Sequence, residues 1–557
     1  MKIERPWVTA GYVLATLVMT WPLVNYATGG EGSYRSDQWL VVWTLAWNNH
    51  ALLTSDSLFQ SNLFFPAADS LRFNEHLFGL SLLTLPLRIL GASPVLAHNL
   101  IWWLAFPMNA LAAFALAKRF TPNTLAAFVG GLVFAFSFYV MLHAGGHLHL
   151  IWLWPIPLSL LLLEWWFDAP SMRRIAFWTA VVLLAVLTSW YLAAIILLAN
   201  GLMGLVLLAT NLPERQPRTS TQKPHLLWRR RAVGLAAAAV TMVLCVWPFA
   251  QYYVGLEGGA AEIVSNSADM ASYVVPPENT VIGRWWKTAI DNRPRSIFGE
   301  RTLFLGWISL ALSGIGLGSL ISGHERTRRA WLFPLLTVVG LSVGFGPSLP
   351  WVGHTAFAPF TWIAALPGLE GLRAPARFAV LGILGLSGMT ALGTAALAQR
   401  IGKHGQIIVV LLVPLMLTEW FIVDFPAGKP MRYEVPAVYL TPEIQSARAL
   451  VSLPEYRGTE EWFLGGDYLY YSTAHWRPIV NGFGRTEPPG HGQVIEAVRA
   501  FPASASLLRE LGVQYVVVHT ARYGDGATTL LAEAATCEEC RLATRMGPDY
   551  VYELVPP

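Results

Sequence analysis

The chain has 557 residues, of which 54% are hydrophobic and only 13% charged, a balance too apolar for a water-soluble protein of this length and one that places it in the membrane class. The net charge of +4 says little about partners by itself, because in a membrane protein the placement of Lys and Arg matters more than their sum. No G-x-G-x-x-G follows a strand-like run and no P-loop is present, so nothing points to a bound nucleotide.

Apolar runs of about 20 residues, enough to cross roughly 30 Å of hydrocarbon, recur from Trp7 to about Val423. The first, Trp7 to about Tyr26, follows MKIER. It is too long for a signal-peptide core and lacks an A-x-A site, so it is predicted to be an uncleaved anchor. Next comes SYRSDQWLVVWTLAWNNHALL at 33–53, predicted as a helix with Trp39, Trp43 and Trp47 in one stripe. Ser36 suits a cap, and Asp37 falls in the first turn, where the helix dipole favours a carboxylate. The stripe is expected to lie in the membrane interface and hold Asp37 at headgroup height. The same segment carries Arg35, Gln38, Asn48, Asn49, His50, Asn62, Asn74, Glu75 and His76 among aromatics. Residues 77–91, LFGLSLLTLPLRILG, are apolar but short, and are expected to form a re-entrant or surface helix.

Basic clusters at Lys118-Arg119, Arg173-Arg174, Arg229 to Arg231, Arg326 to Arg329 and Arg400 to Lys403 each adjoin the end of an apolar run. Such ends are expected to be cytoplasmic. Residues 28–94, 143–149, 251–301, 348–374 and everything after Asp424 then share the opposite face. The expected domains are a membrane part, 1–424, with its first outer loop at 28–94, and an outer domain, 425–557.

Four constellations fall on that face. In HAGGHLHL, His143 and His147 stand at i and i+4 with His149 beyond. They could start a metal site, but Gly145 and Gly146 oppose a regular helix there, and hydrogen bonding to backbone or phosphate is the other reading. In SNSADMASYVVPP, Ser267, Asp269 and Tyr273 read as turn chemistry. Glu300 and Arg301 sit at the membrane edge, to pair with each other or cap the next span. In GLRAPARF, Pro375 makes Ala374 extended, so Arg373 and Arg377 stand at a turn-like entry to a late span. Snorkelling anchors are the alternative there to a phosphate clamp, for which guanidinium geometry is suited.

After Asp424, LLRELG followed by VQYVVVH predicts a helix-to-strand step and HWRPIVNGFG a second strand, giving α/β character. Tyr468, Tyr470, Tyr471, Trp476 and His491 could stack on sugars or pack a core. Cys245 reads as a small core residue. Cys537 and Cys540, in TCEEC, read as a disulfide more readily than as a redox pair, since two glutamates lie between them.

Asp37 in SDQW, the stretches NLFFPAADSLRFNEH and HLHLIWLWPIPL, and the motifs GERTLFLGW and GLRAPARF together resemble a bacterial branch of the GT-C class of membrane glycosyltransferases. LGVQYVVVH extends the likeness into the outer domain. The resemblance implies a mainly α, polytopic membrane helical bundle of roughly 11 to 13 spans with a small C-terminal α/β extracytoplasmic domain. It implies a bacterial inner-membrane enzyme that transfers a sugar from a polyprenyl-phosphate donor to a glycan, lipid or protein acceptor, with no cofactor, no metal and no nucleic acid. Asp37 would be the general base, and Arg373 or Arg377 would meet the departing phosphate. His76, His143, His147 and His149 would contribute to substrate binding. The class often has a second acidic residue near later loops. HAGGHLHL offers none, leaving Glu75 as a second catalytic carboxylate and Glu300 as an acidic contact in the binding site. A lipid-linked glycan transporter and a non-enzymatic envelope scaffold are the competing readings, though no inverted repeat or midplane charge favours transport.

Overall fold

The computed structural model describes residues 6–21, 35–210, 224–255, 260–289, 299–323, 328–349, 353–354, 358–366, 369, 371–423, 434–456, 461–484, 486–524 and 526–556. The chain forms two compact units, residues 1–24 with 100–425 and residues 25–99 with 426–557. Thus residues 25–99, read from the sequence with the membrane part, share a unit with the C-terminal segment.

The first unit is helical. Among the described residues six helical stretches are long and apolar enough to cross a membrane: Pro94–Phe120, Thr124–His143, Leu148–Asp168, Trp190–Thr210, His225–Ala250 and Pro375–Ile401. Shorter apolar helices are Pro6–Met19, Trp307–Ile321 and His404–Trp420. At the centre runs Ala379–Ile401, buried along most of its length. Small residues explain how its neighbours come so close, because in an apolar solvent helix association depends on packing. A Cβ on Gly393 would lie 1.8 Å from the Leu312 carbonyl oxygen, and one on Gly340 would lie 2.2 Å from the Gly382 nitrogen. Ser387 Oγ donates to the Gly130 carbonyl at 2.8 Å and fastens Thr124–Phe136 to the same helix. By contrast, only 11% of the apolar window of His225–Ala250 is buried, so most of this helix's apolar surface is left uncovered by the rest of the chain. Cys245 is therefore exposed, against the expectation of a core residue. An apolar helix in a bilayer needs no protein partner on every face.

The second unit joins the first loop to a small sheet. Strands β1 (Leu450–Leu453) and β2 (Tyr515–His519) are parallel, Leu450 opposite Tyr515. Strand β2 pairs antiparallel with β4 (Asp549–Leu554), which turns back on β3 (Cys540–Met546) at Gly547, φ 61°. The order is β1-β2-β4-β3. Helix Ala505–Glu510 precedes β2, as the Gly512 stop predicts. The core consists of Val451, Leu453, Val498, Leu508, Val516 and Val518 with their neighbours. Cys537 and Cys540 are disulfide-bonded.

Two expectations fail in this unit. HWRPIVNGFG forms no strand but a single bridge, Ile479 to Leu450. Pro478 has no N–H for a ladder, and Ile479 pairs on its other side with the first loop, donating to Asn62 O at 2.7 Å and accepting from Phe65 N at 3.0 Å. The tryptophan stripe is not a membrane-interface face either. Trp39, Trp43 and Trp47 are buried within the protein. Trp43 Nε1 donates to Asn62 Oδ1 at 3.2 Å and Trp47 Nε1 to Leu58 O at 2.8 Å, while Trp39 lies 4.6 Å from the Tyr470 ring. Buried indole N–H groups need acceptors, and the loop supplies them internally. Tyr468, Tyr471 and His491 are likewise core residues.

Candidate active site

Three motifs of the first unit, those of His143, Glu300 and Arg377, converge. Helix Phe138–His143 ends at its histidine, and Gly145 and Gly146 form the turn to the short helix Leu148–Ile151. Two polar side chains from helix Pro94–Phe120 hold this broken segment. Trp102 Nε1 donates to Ala144 O at 2.8 Å, and Asn109 bridges it by donating to Ile151 O at 2.8 Å and accepting from Leu153 N at 3.0 Å. Interrupted helices need such partners for their freed backbone groups. The rings of His143, His147 and His149 follow one another at 5.6 and 5.8 Å.

GLRAPARF enters its helix through a turn, Ala374 lying outside the helical region at φ −125°, ψ 82° but short of the extended form expected, and Pro375–Phe378 forming a 3-10 turn. Tyr191, at the start of Trp190–Thr210, fixes this entry. Its hydroxyl accepts from the backbone N–H of Arg373 at 2.7 Å and of Ala374 at 2.9 Å. The Arg377 guanidinium lies 4.3 Å from the Tyr191 ring centre. Asn266 O accepts from Ala376 N at 3.2 Å.

Arg377 is 8% exposed and grips Glu300. Its Nε lies 3.1 Å from each carboxylate oxygen, and Nη2 donates to Oε1. His143 Nε2 stands 3.5 Å from Glu300 Oε2. Burial alone would raise the Glu300 carboxyl, but Arg377, with His143 beside it, outweighs burial and holds it well below the usual carboxylate range. The phenol of Tyr139 and the imidazole of His149 belong to the same electrostatic neighbourhood. Tyr139 Oη, His143 Nε2 and His149 Nδ1 are buried without a hydrogen-bond partner. Such atoms are costly in a folded protein and mark places where a ligand or water completes the bonding.

The neighbouring charged residues are paired as well. Arg373 pairs with Glu262 at 2.8 Å. Arg301 pairs with Asp269 at 2.7 Å, so Glu300 and Arg301 do not pair with each other. Asp269 also caps helix Met270–Val274 in a reciprocal box with Ser272. The next helix, Trp307–Ile321, is capped by Glu419, which accepts from Trp307 N at 2.9 Å. Among the described residues no group of three His, Cys, Asp or Glu could hold a metal ion.

Asp37, Glu75 and His76 belong to the second unit. Asp37 is half-buried in the first turn of helix Arg35–Thr54; the Ser36 side chain, expected to cap it, lies outside the described residues. Asn48 donates to His76 O at 2.6 Å and to Ser81 Oγ at 2.8 Å, and Asn49 to Thr84 Oγ1 at 2.9 Å. These asparagines pin that helix to Phe78–Ile89. Glu75 is half-buried beside them. His76 is fully buried, its Nδ1 accepts from Phe78 N at 3.2 Å, and burial pushes its imidazole down to about 3.

Sequence reasoning missed Tyr139, Tyr191, Glu262 and Asn109. Only Tyr139 carried a signal, standing one helical turn before His143.

A family model described as "Domain of unknown function (DUF6311)" matches residues 38–418. No curated protein matches the sequence. The structure is similar to the oligosaccharyltransferase of Archaeoglobus fulgidus, with a TM-score of 0.54 at 12% identity over 94% of this chain and 70% of that one. It is also similar to the arabinofuranosyltransferase AftD from Mycobacteria, with a TM-score of 0.56 at 15% identity over 99% of this chain and 40% of that one. The chain thus spans less than half of the mycobacterial enzyme. Both neighbours are GT-C glycosyltransferases, so the fold class that the resemblance implied, mainly helical with a small C-terminal sheet, is the one found, with six helical stretches long enough to span among the described residues.

Proposed function

The chain belongs to the family described as DUF6311, and we propose that within it this protein is a membrane glycosyltransferase using a polyprenyl-phosphate-linked hexose or pentose. The acceptor, a glycan, lipid or protein of the envelope, would be met on the extracytoplasmic face of the bacterial inner membrane, where residues 425–557 also lie. On this reading Met172–Val186, Leu332–Gly344 and the three shorter apolar helices of the first unit would cross the membrane beside the six long stretches, for roughly 11 spans in all.

The observation that carries this reading is the buried Arg377–Glu300–His143 cluster with its unpartnered Tyr139 and His149 atoms, set in a GT-C fold. In the proposed reaction the acceptor hydroxyl oxygen attacks the anomeric carbon while Asp37 takes its proton. The bond from that carbon to the phosphate oxygen breaks, and polyprenyl phosphate leaves with the electron pair. Arg377, and Arg373 at the same entry, meet that charge in a site of low dielectric. The incoming phosphate competes with Glu300 for the guanidinium, and His143, His147 and His149 border the place where it sits. Glu75 is the proposed second carboxylate, in the unit of Asp37. His76 acts only through the packing of that unit.

Asp37→Asn tests the reading, because Asn keeps a helix-start acceptor but cannot take a proton. Turnover with a labelled polyprenyl-phosphate sugar should fall by about two to four powers of ten while donor binding persists. Unchanged turnover would remove Asp37 as the base.

A further inference from the structure

At the end of the first unit that carries the basic clusters, helix Pro224–Ala250 leans on helices Pro155–Asp168 and Met172–Val186. The approach is close, since a Cβ on Gly234 would come 2.9 Å from Trp166 Cζ2. Four arginines gather there and divide into two kinds. Arg231 donates twice to Phe167 O, at 3.2 and 2.7 Å, and lies 3.7 Å from the Phe167 ring centre. Arg174 donates to Trp165 O and Ala169 O at 2.9 and 3.2 Å. These two close the carbonyl end of helix Pro155–Asp168, as cations at helix C-termini do. Arg229 and Arg230 do neither. Among the described residues they make no hydrogen bond or ion pair, and both line a cavity of about 530 Å³ walled by Trp166, Met172, Leu226 and Val233.

We propose that this cavity holds an anionic phospholipid of the cytoplasmic leaflet, its phosphate between Arg229 and Arg230 and its first acyl carbons against the apolar wall. Three observations favour a lipid over any other occupant. The helix bearing both arginines has only 11% of its apolar window buried, so the cavity opens where lipid lies. The nearest carboxylate network is already committed, Asp168 and Glu164 to Arg329 at 2.8 Å each, so the arginine pair keeps its positive charge. Leu226, Met172 and Val233 remain 45%, 56% and 55% exposed, an apolar margin beside two cations that matches the two chemistries of a phospholipid. Basic pockets between spans at the cytoplasmic face are suited to such headgroups. The site is separate from the proposed transfer chemistry and stands or falls without it.

Native mass spectrometry of the full chain, released from nanodiscs containing equal phosphatidylglycerol and phosphatidylcholine of matched acyl chains, tests the proposal. The parent should retain phosphatidylglycerol at least tenfold over phosphatidylcholine. Arg229→Gln with Arg230→Gln should abolish that preference. Val233→Trp, which keeps both charges but fills the cavity at an exposed position that tolerates bulk, should reduce retention by a similar factor. No preference in the parent would overturn the proposal, and so would retention in the double variant. Full retention in Val233→Trp would overturn it too, by reducing the effect to surface charge. Displacement of the lipid by millimolar inorganic phosphate would show that phosphate alone is read, and would also overturn it.

Discussion

Two arginine–carboxylate clusters sit at opposite ends of the stretch Leu148–Asp168, and they differ in what they leave over. At the Asp168 end, Glu164 accepts from Arg119 at 3.2 Å and from Arg329 at 2.8 Å, while Asp168 takes both terminal nitrogens of Arg329. None of these four side chains has a buried polar atom lacking a partner. At the His149 end, Arg377 and Glu300 are paired just as firmly, yet Tyr139, His143 and His149 each keep an unbonded buried atom. Arginine and carboxylate are common to both, but burial is not: Arg377 is buried against a partly buried Glu300, whereas the side chains of Arg119 and Asp168 around the buried Glu164 are 50% and 40% exposed. Unbonded buried atoms are costly, so those beside Arg377 and Glu300 are the reserve that the proposed ligand site would use, and the exposed arms of the Glu164 cluster are solvated instead.

The largest effect should come from breaking the satisfied cluster. Glu164→Gln leaves the half-buried Arg329 with Asp168 as its remaining counter-charge, and unfolding followed by fluorescence should show a loss of about 3 kcal/mol. Turnover per folded molecule should stay within about twofold, as for other changes remote from the chemistry. A collapse of turnover at full folding would mean that the inner cluster also takes part in the reaction.

His76 extends the contrast to a group sealed off altogether. Its folded value near 3 lies below the usual 6.5, so beneath pH 6.5 the unfolded chain binds a proton that the folded one refuses. Stability is therefore complete above pH 6.5 and declines toward pH 3 by about 1.4 kcal/mol per unit from this residue. His76→Asn, which keeps an acceptor for Phe78 N, should flatten that slope in acid titrations of stability. An unaltered slope would show that His76 is not its source.

Arg377→Lys retains a positive charge but not the fork that holds Glu300. It should weaken donor binding by about 1.5 to 3 kcal/mol, read by equilibrium binding of a polyprenyl-phosphate sugar. Equal affinity would make Arg377 a structural residue like Arg329. The smallest effect belongs to Tyr139→Phe. Removing a hydroxyl with no partner should change stability by less than about 0.5 kcal/mol. If that hydroxyl is held for ligand, donor binding should still fall by about 0.5 to 1.5 kcal/mol, and a variant identical to the parent in both assays would show an empty reserve.

Local features were legible in the sequence because their causes are local. Pro375 kept Ala374 out of the helical region, Gly512 stopped the helix before β2, and two cysteines three residues apart bonded. Pairings through space were not legible. Glu300 and Arg377 are 77 residues apart, and nothing in GERTLFLGW indicates that Glu300 turns to Arg377 while Arg301 turns to Asp269. The tryptophan stripe misled for a related reason. Interfacial and buried indoles share one periodicity, and only the acceptors at Asn62 and Leu58 tell them apart. Tyr191 was invisible because it works by accepting backbone N–H groups far along the chain, which no motif records.

The bond from Asn62 to the Arg477 carbonyl joins segments 415 residues apart, and Asn62 and Phe65 both bond Ile479 beside it. At ribosomal speeds of about 5 to 20 residues per second, that separation is a wait of roughly 20 to 80 seconds. Through that interval the helix bearing Asp37 has emerged, but the Tyr470 ring that covers Trp39 has not yet been synthesised. A product of premature termination that lacks residues 470–479 could contain the described helices of the first unit and still present Asp37 on an unfinished support, so synthesis of those distant residues is a condition of the carboxylate's geometry.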